Sequence, residues 1–197
     1  MAKFTNIQKL SIAAVLITGT YCLVTIYNYW SADTLYARAK AETELGMISK
    51  AARDLAAAIA KSPKEPLYHD RLAQVYSAVA RASIEEKDAS SAAQLAKASV
   101  KEADIALSLA PKNFIILQDR VNVYSDLAAV DSKYTLESTK TLEYLTAYAP
   151  TYAKIYYKLG LAYLSIGQTD RARQNLQKAI DLKPNYEEAR NALKTLQ

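Results

Sequence analysis

Glycine and proline are scarce in this chain, at four and five residues among 197. A β-sandwich or barrel draws on both residue types at a turn roughly every 8–12 residues, so all-β architectures are excluded. One cysteine rules out an intramolecular disulfide framework and leaves the redox compartment unread. The single histidine, His69, has no second His or Cys to share a metal ion with, and a general base needs partners that the chain does not supply. It reads as a solvated or hydrogen-bonded surface histidine on the first turn of a helix after Pro66. Phosphate-cradling glycine loops and nucleophile elbows are both missing. The adjacent pairs Glu85-Glu86 and Glu187-Glu188 diverge on a helix and are solvated faces rather than acid/base couples. No catalytic residue, metal site or cofactor is expected, and the chain is not read as an enzyme. What is abundant is Ala, Leu, Lys, Glu and Gln, which favour helix.

The formal charge of +5 is spread thinly. With Lys3 and Lys9 set aside, 23 basic and 20 acidic residues are interspersed along the rest, as on a salt-laced helical surface. No basic stripe with interleaved aromatics is present, so no nucleic-acid partner is expected.

Leu10 to Ala32 holds no charged residue and is long enough to cross a bilayer, which takes about 20 mainly apolar residues. Ser11, Thr18, Thr20, Thr25 and Asn28 soften it. Tyr27, Tyr29 and Trp30 gather at its end, where amphipathic rings prefer the headgroup layer. A cleaved signal is the competing reading, yet it wants small residues where Tyr-Asn-Tyr-Trp stands. The expectation is a single-pass protein of the bacterial cytoplasmic membrane. Residues 1–9 form a cytoplasmic tail and 10–31 a transmembrane anchor. Lys3 and Lys9 keep the tail inside and put the remainder in the extracytoplasmic space, although Arg38, Lys40 and Lys50 follow the span closely.

The remainder repeats. From Ala153 to Tyr186, Tyr156, Leu159-Gly160, Tyr163, Gly167, Ala172, Ala179 and Pro184 occupy the marked positions of a roughly 34-residue helix pair. At a constant offset of 121 residues, Leu35, Ala39, Gly46, Ala51, Leu55, Ala58, Ile59 and Pro63 correspond to Tyr156, Gly160, Gly167, Ala172, Leu176, Ala179, Ile180 and Pro184. The closing prolines Pro63, Pro111, Pro150 and Pro184 stand 48, 39 and 34 residues apart. The second unit thus carries an insertion of about 14 residues and the third about five. Apolar stripes through Leu72, Val75, Tyr76 and Val79, and through Leu95, Val100 and Leu107, read that longer unit as two helices each about two turns longer than usual. Thr169 before Asp170 reads as a helix cap. Four units follow, at 32–65, 66–113, 114–152 and 153–186, with 187–197 as a capping helix.

These positions resemble the tetratricopeptide-repeat (TPR) family. The resemblance implies an all-α, right-handed helical solenoid of about four helix pairs plus a capping helix, with one transmembrane helix before it. It also implies a concave groove lined by the first helix of each pair, holding a protein or peptide partner. By repeat position that groove carries Tyr36, Lys40, Asp70, Gln74, Gln118, Asn122, Tyr157 and Leu161. Only Lys40 and Asn122 fit a clamp for a partner's terminal carboxylate. A second likeness, in Ala32-Asp-Thr-Leu-Tyr-Ala-Arg-Ala, Pro66-Leu-Tyr-His and Lys183-Pro-Asn-Tyr-Glu-Glu-Ala, is to the TPR tail of bacterial O-antigen ligase/polymerase-like membrane proteins.

The functional expectation is a membrane-anchored scaffold for protein–protein interaction in bacterial envelope or surface-polysaccharide assembly. Two alternatives stand beside it. One is a self-assembling, homo-oligomeric structural protein, and the other an accessory subunit or tail module of an O-antigen ligase/polymerase-like enzyme.

Overall fold

The computed structural model describes residues 5–196; Lys3 and Gln197 lie outside the described residues. Among these residues there are nine helices and no strand: α1 (Asn6–Glu44), α2 (Ile48–Lys61), α3 (Pro66–Glu85), α4 (Ala89–Leu109), α5 (Phe114–Leu127), α6 (Lys133–Tyr148), α7 (Ala153–Ser165), α8 (Thr169–Leu182) and α9 (Glu187–Lys194). They form four pairs and a closing helix. The chain divides into two compact units, one ending at Tyr68 and the other beginning at His69.

In the N-terminal unit, α1 starts at a reciprocal cap. Thr5 Oγ1 accepts from the Gln8 amide at 3.3 Å, and Gln8 Oε1 accepts from the Thr5 amide at 2.9 Å. The helix then runs 39 residues without a break, so the apolar stretch and the first repeat helix are one rod. It is the described helix long and apolar enough to cross a membrane. Inside it Thr18 and Thr25 donate their hydroxyls to the carbonyls of Ala14 and Tyr21, at 2.9 and 2.8 Å. Those bonds satisfy the hydroxyls within the helix, which suits an apolar surrounding. Small residues let α2 lie close against α1: Ala32, Ala39, Ala51 and Ala58 are all fully buried, as is the larger Leu55.

In the C-terminal unit the long second pair is two longer helices. α3 and α4 have 20 and 21 residues, against 13 and 14 in α7 and α8. Ala73, Ala80, Ala96 and Ala103 line their shared face and extend to Val123, Tyr124, Leu127 and Tyr134. Ser99 Oγ, buried between them, donates to the Ala73 carbonyl at 2.7 Å. A second cluster joins α5, α6 and α7 through Leu117, Val121, Leu142, Leu145, Ile155 and Leu159. Tyr186 and Ala189 pack under α9 against Ala179.

The turns show why the sequence repeats. Three of the first helices, α1, α3 and α7, end in one motif, with Gly46, Lys87 and Gly167 in the left-handed region at φ 74°, 64° and 74°. In each, the amide after that residue bonds five residues back, to Glu42, Ser83 and Tyr163 at 2.8 Å. This arrangement satisfies carbonyls that a helix end otherwise leaves open. Between pairs, Ser62, Ala110, Ala149 and Lys183 precede the four closing prolines with φ from −133° to −140°. Proline pushes the residue before it out of the helical region, so each second helix stops at the same place. The α5–α6 turn has five residues, Ala128 to Ser132, and no left-handed residue among them. At α8 the cap is Gln168, with no side-chain hydrogen bond, and Thr169 is already the first helical residue. The tight turn after Gly167 places the chain one residue earlier than the Thr-Asp pattern implies.

Candidate functional site

The groove residues divide between the two compact units. In the N-terminal unit Tyr36 lies against Tyr68, ring centroids 5.2 Å apart, and Lys40 is exposed on α1. In the C-terminal unit most of them meet in one polar row across the first helices α3, α5 and α7.

That row begins at α3. Gln74 Nε2 donates to Asp70 Oδ2 at 2.8 Å, and Arg71 Nη1 donates to Gln74 Oε1 at 3.3 Å. Asp70 is buried, only 6% exposed, and hydrogen-bonds to Asp119 of α5. Burial, then the neighbouring Asp119 charge, pushes the Asp70 carboxyl up to about 7. Burial raises Asp119 as well, against hydrogen bonding from Asn122 and the charges of Arg71 and Lys158. Asn122 Nδ2 donates to Asp119 Oδ1 at 3.3 Å, and Lys158 Nζ of α7 donates to Asn122 Oδ1 at 2.8 Å. Burial, then Lys154, lowers Lys158 from the usual lysine range. The Nε of Arg71 is buried with no hydrogen-bond partner.

Beside the row lies an open cleft of about 890 Å³ between α5, α6 and α7. Asn122, Lys158 and Leu161 stand on its edge, and small side chains such as Ser125, Ala128 and Ser138 give it depth. Gln118 lies a turn away, with Lys154 and Lys158. Tyr157 is elsewhere: half-buried, it packs on Tyr186 with ring centroids 5.0 Å apart and supports the last pair. Asp70, Gln74, Gln118, Asn122 and Leu161 are therefore gathered along one face, whereas Tyr157 is turned into packing.

Three members of the row escaped the sequence reading, and a signal for them exists. Arg71, Asp119 and Lys158 occupy the same repeat position on α3, α5 and α7, one residue after Asp70, Gln118 and Tyr157. Their charges alternate in sign, which lets neighbouring helices attract rather than repel. His69 also differs from expectation. It does sit on the first turn of α3, but it is 5% exposed, and its Nδ1 lies 2.6 Å from Glu102 Oε2 of α4. Among the described residues no three His, Cys, Asp or Glu side chains gather to hold a metal.

Comparison with known proteins bears on this architecture. Residues 153–186, spanning α7 and α8, match the tetratricopeptide-repeat family model. This chain has the TPR fold. Solved structures agree over most of its length. A thermophilic TPR protein of Thermus thermophilus superposes with a TM-score of 0.64 at 20% identity, covering 84% of this chain and 80% of that one. MamA, residues 41 to the end, from Desulfovibrio magneticus superposes with a TM-score of 0.63 at 22% identity, covering 84% and 83%. PilF of Pseudomonas aeruginosa gives 0.62 at 18% identity, covering 86% and 68%. No curated protein sequence matches the chain. At these identities the likeness is one of fold. The TPR fold accounts for the shared turns, the paired helices and the closing α9.

Proposed function

We propose that this chain is a membrane-anchored, non-catalytic scaffold that holds a protein segment along the polar row and cleft of α3, α5 and α7. The observation that carries this is the combination of a charged row with an open cleft on the same helices. Repeat proteins bury one face of every helix against neighbours, which leaves polar groups placed in register along the other face to meet a partner. Asn122 and Lys158 offer exposed polar atoms, and Leu142 and Leu161 offer apolar contact. The partner that fits is an extended segment placing a small apolar side chain in the cleft and acceptors beside Lys158.

Residues 10–31 anchor the scaffold in a bacterial cytoplasmic membrane, with the repeats extracytoplasmic and serving envelope or surface-polysaccharide assembly. The exposed apolar length of α1 supports the anchor. The likeness to O-antigen ligase tails supports the setting.

A photo-crosslinking residue in place of Leu161, in the full-length chain in cells, tests the proposal. Crosslinks to a second protein, weakened by Asn122→Ala, are expected. Crosslinks between copies of this chain alone would move the reading to self-assembly. Failure to crosslink anything would remove the cleft's role.

A further inference from the structure

Within the N-terminal unit, α2 runs back along α1, so its last turn lies beside the end of the apolar stretch and not beyond it. The fully buried Ala32 and Ala58 mark the register, and the Arg38–Asp54 ion pair agrees with it. Further along, the ammonium of Lys61 lies 5.7 Å from the centre of the Tyr27 ring. A crevice of about 700 Å³ lies between α1 and the end of α2, lined on α1 by Tyr21, Thr25 and Asn28 and opposite by Lys61, Ser62 and Lys64. Thr25 and Asn28, the polar residues of this stretch, are half-covered, while Leu23, Ile26, Tyr27 and Trp30 around them are exposed.

A turn backbone and two lysines have no place in hydrocarbon, where polar groups without partners cost several kcal/mol each. Because the α2 end and α1 share one rigid pair, this turn limits how deep α1 can go. The hydrocarbon must stop close to Ile26, which leaves residues 10–26 within it. At 1.5 Å per residue those 17 residues span about 26 Å, at the short end of what crosses a bilayer. Lys9 then lies at the far boundary, and Tyr27, Tyr29 and Trp30 lie at headgroup level with Lys61 and Lys64.

Resting on the membrane-anchored reading, we infer that the crevice between α1 and the Ser62-Pro63-Lys64 turn takes an anionic phospholipid headgroup, seating the first helix pair directly on the bilayer. Lys61 and Lys64 on one side would supply positive charge to a phosphate, Asn28 and Tyr29 line the other side, and the exposed apolar band below would accommodate the acyl chains. The one acid of the turn, Glu65, is turned to the start of α3, its Oε1 accepting from the Leu67 amide at 3.4 Å. α1 continues unbroken through this level, so the first pair has no hinge to the membrane.

Spin-label depth measurements on the full-length chain in nanodiscs test this. In a Cys22→Ser background, single labels go at Leu16→Cys, Ala60→Cys and Met47→Cys, and discs contain phosphatidylglycerol or phosphatidylcholine alone. The expected result in the anionic discs is a deep label at 16, a headgroup-level label at 60 and a water-exposed label at 47. Positions 47 and 60 are about 20 Å apart along α2. A deep label at 16 with label 60 as water-exposed as label 47 overturns the seating while keeping the anchor. A water-exposed label at 16 removes the anchor itself. Label 60 should sit deeper in anionic than in zwitterionic discs, and the Lys61→Gln/Lys64→Gln pair should abolish that difference. Equal depth in both lipids without those substitutions overturns the assignment to an anionic headgroup.

Discussion

Gly160 is where the closeness of the last pair can be measured. It sits inside α7, and a Cβ built on it lies 2.7 Å from Leu176 Cγ, 2.9 Å from Leu176 Cδ2 and 3.2 Å from the Ala172 carbonyl oxygen. Leu176 is fully buried and cannot swing away. For Gly160→Ala, helix propensity contributes about 1 kcal/mol in favour of alanine. Overpacking a well-filled core costs about 1–3 kcal/mol. The net expectation is a loss of about 1 kcal/mol, opposite in sign to the usual helical Gly→Ala change. Leu176→Ala alone should cost about 2–5 kcal/mol through lost burial and the cavity it leaves. In that background the clashing carbons are gone, so Gly160→Ala should stabilise by about 1 kcal/mol. The two effects should therefore couple by about 2 kcal/mol, which a double-mutant cycle isolates. Urea unfolding of the full-length chain in detergent micelles, followed by helical circular dichroism, supplies the four free energies. If Gly160→Ala stabilises equally with and without Leu176, close approach is not what the glycine provides.

The three left-handed turns divide by residue type: Lys87→Gly should stabilise by about 1 kcal/mol, while Gly167→Ala should destabilise by a similar amount, because only glycine adopts positive φ without penalty. No atom lies within 4 Å of a Cβ at Gly167, so any loss measured by urea midpoint there is conformational. For the buried acid pair, folding raises the Asp70 carboxyl to about 7 from an unfolded value near 3.9, so the folded state takes up a proton. Its stability contribution is therefore greatest below about pH 4 and is lost as pH rises towards 7. Asp70→Asn should flatten that decline between about pH 4 and 7, and parallel pH profiles for the two proteins would show the pair is not the source. Removing the Ser99 hydroxyl by Ser99→Ala should cost about 1 kcal/mol, since it removes a buried hydrogen bond that crosses the α3–α4 seam.

Much of the fold was legible because repeats are written locally. A proline that stops a helix, a glycine that turns it and an alanine that lets another helix approach act within a few residues of themselves. Hence Gly160, Ala172 and Ala179 announce a helix pair before any contact is known. The apolar stripes likewise announced the long α3 and α4, because a helix of any length keeps the same 3.6-residue phase. The groove was legible only in outline. Repeat position says which residue of a first helix faces the groove to within one residue, and one residue is about 100° of helix rotation. That margin separates Tyr157, committed to Tyr186, from Lys158, which reaches Asn122.

By itself the sequence determined the helix pairs, their order and an apolar N-terminal segment, since these depend on local stereochemistry and periodicity. Only the tertiary structure decided that this segment and the first repeat helix are one rod, and that Asp70 is buried beside Asp119. The tertiary structure also decided that His69 is buried against Glu102, and that the Pro63 turn returns to the level of Tyr27. Those facts turn on the rotation and depth at which whole helices pack, which is set by the summed fit of many side chains and by no single stretch of chain.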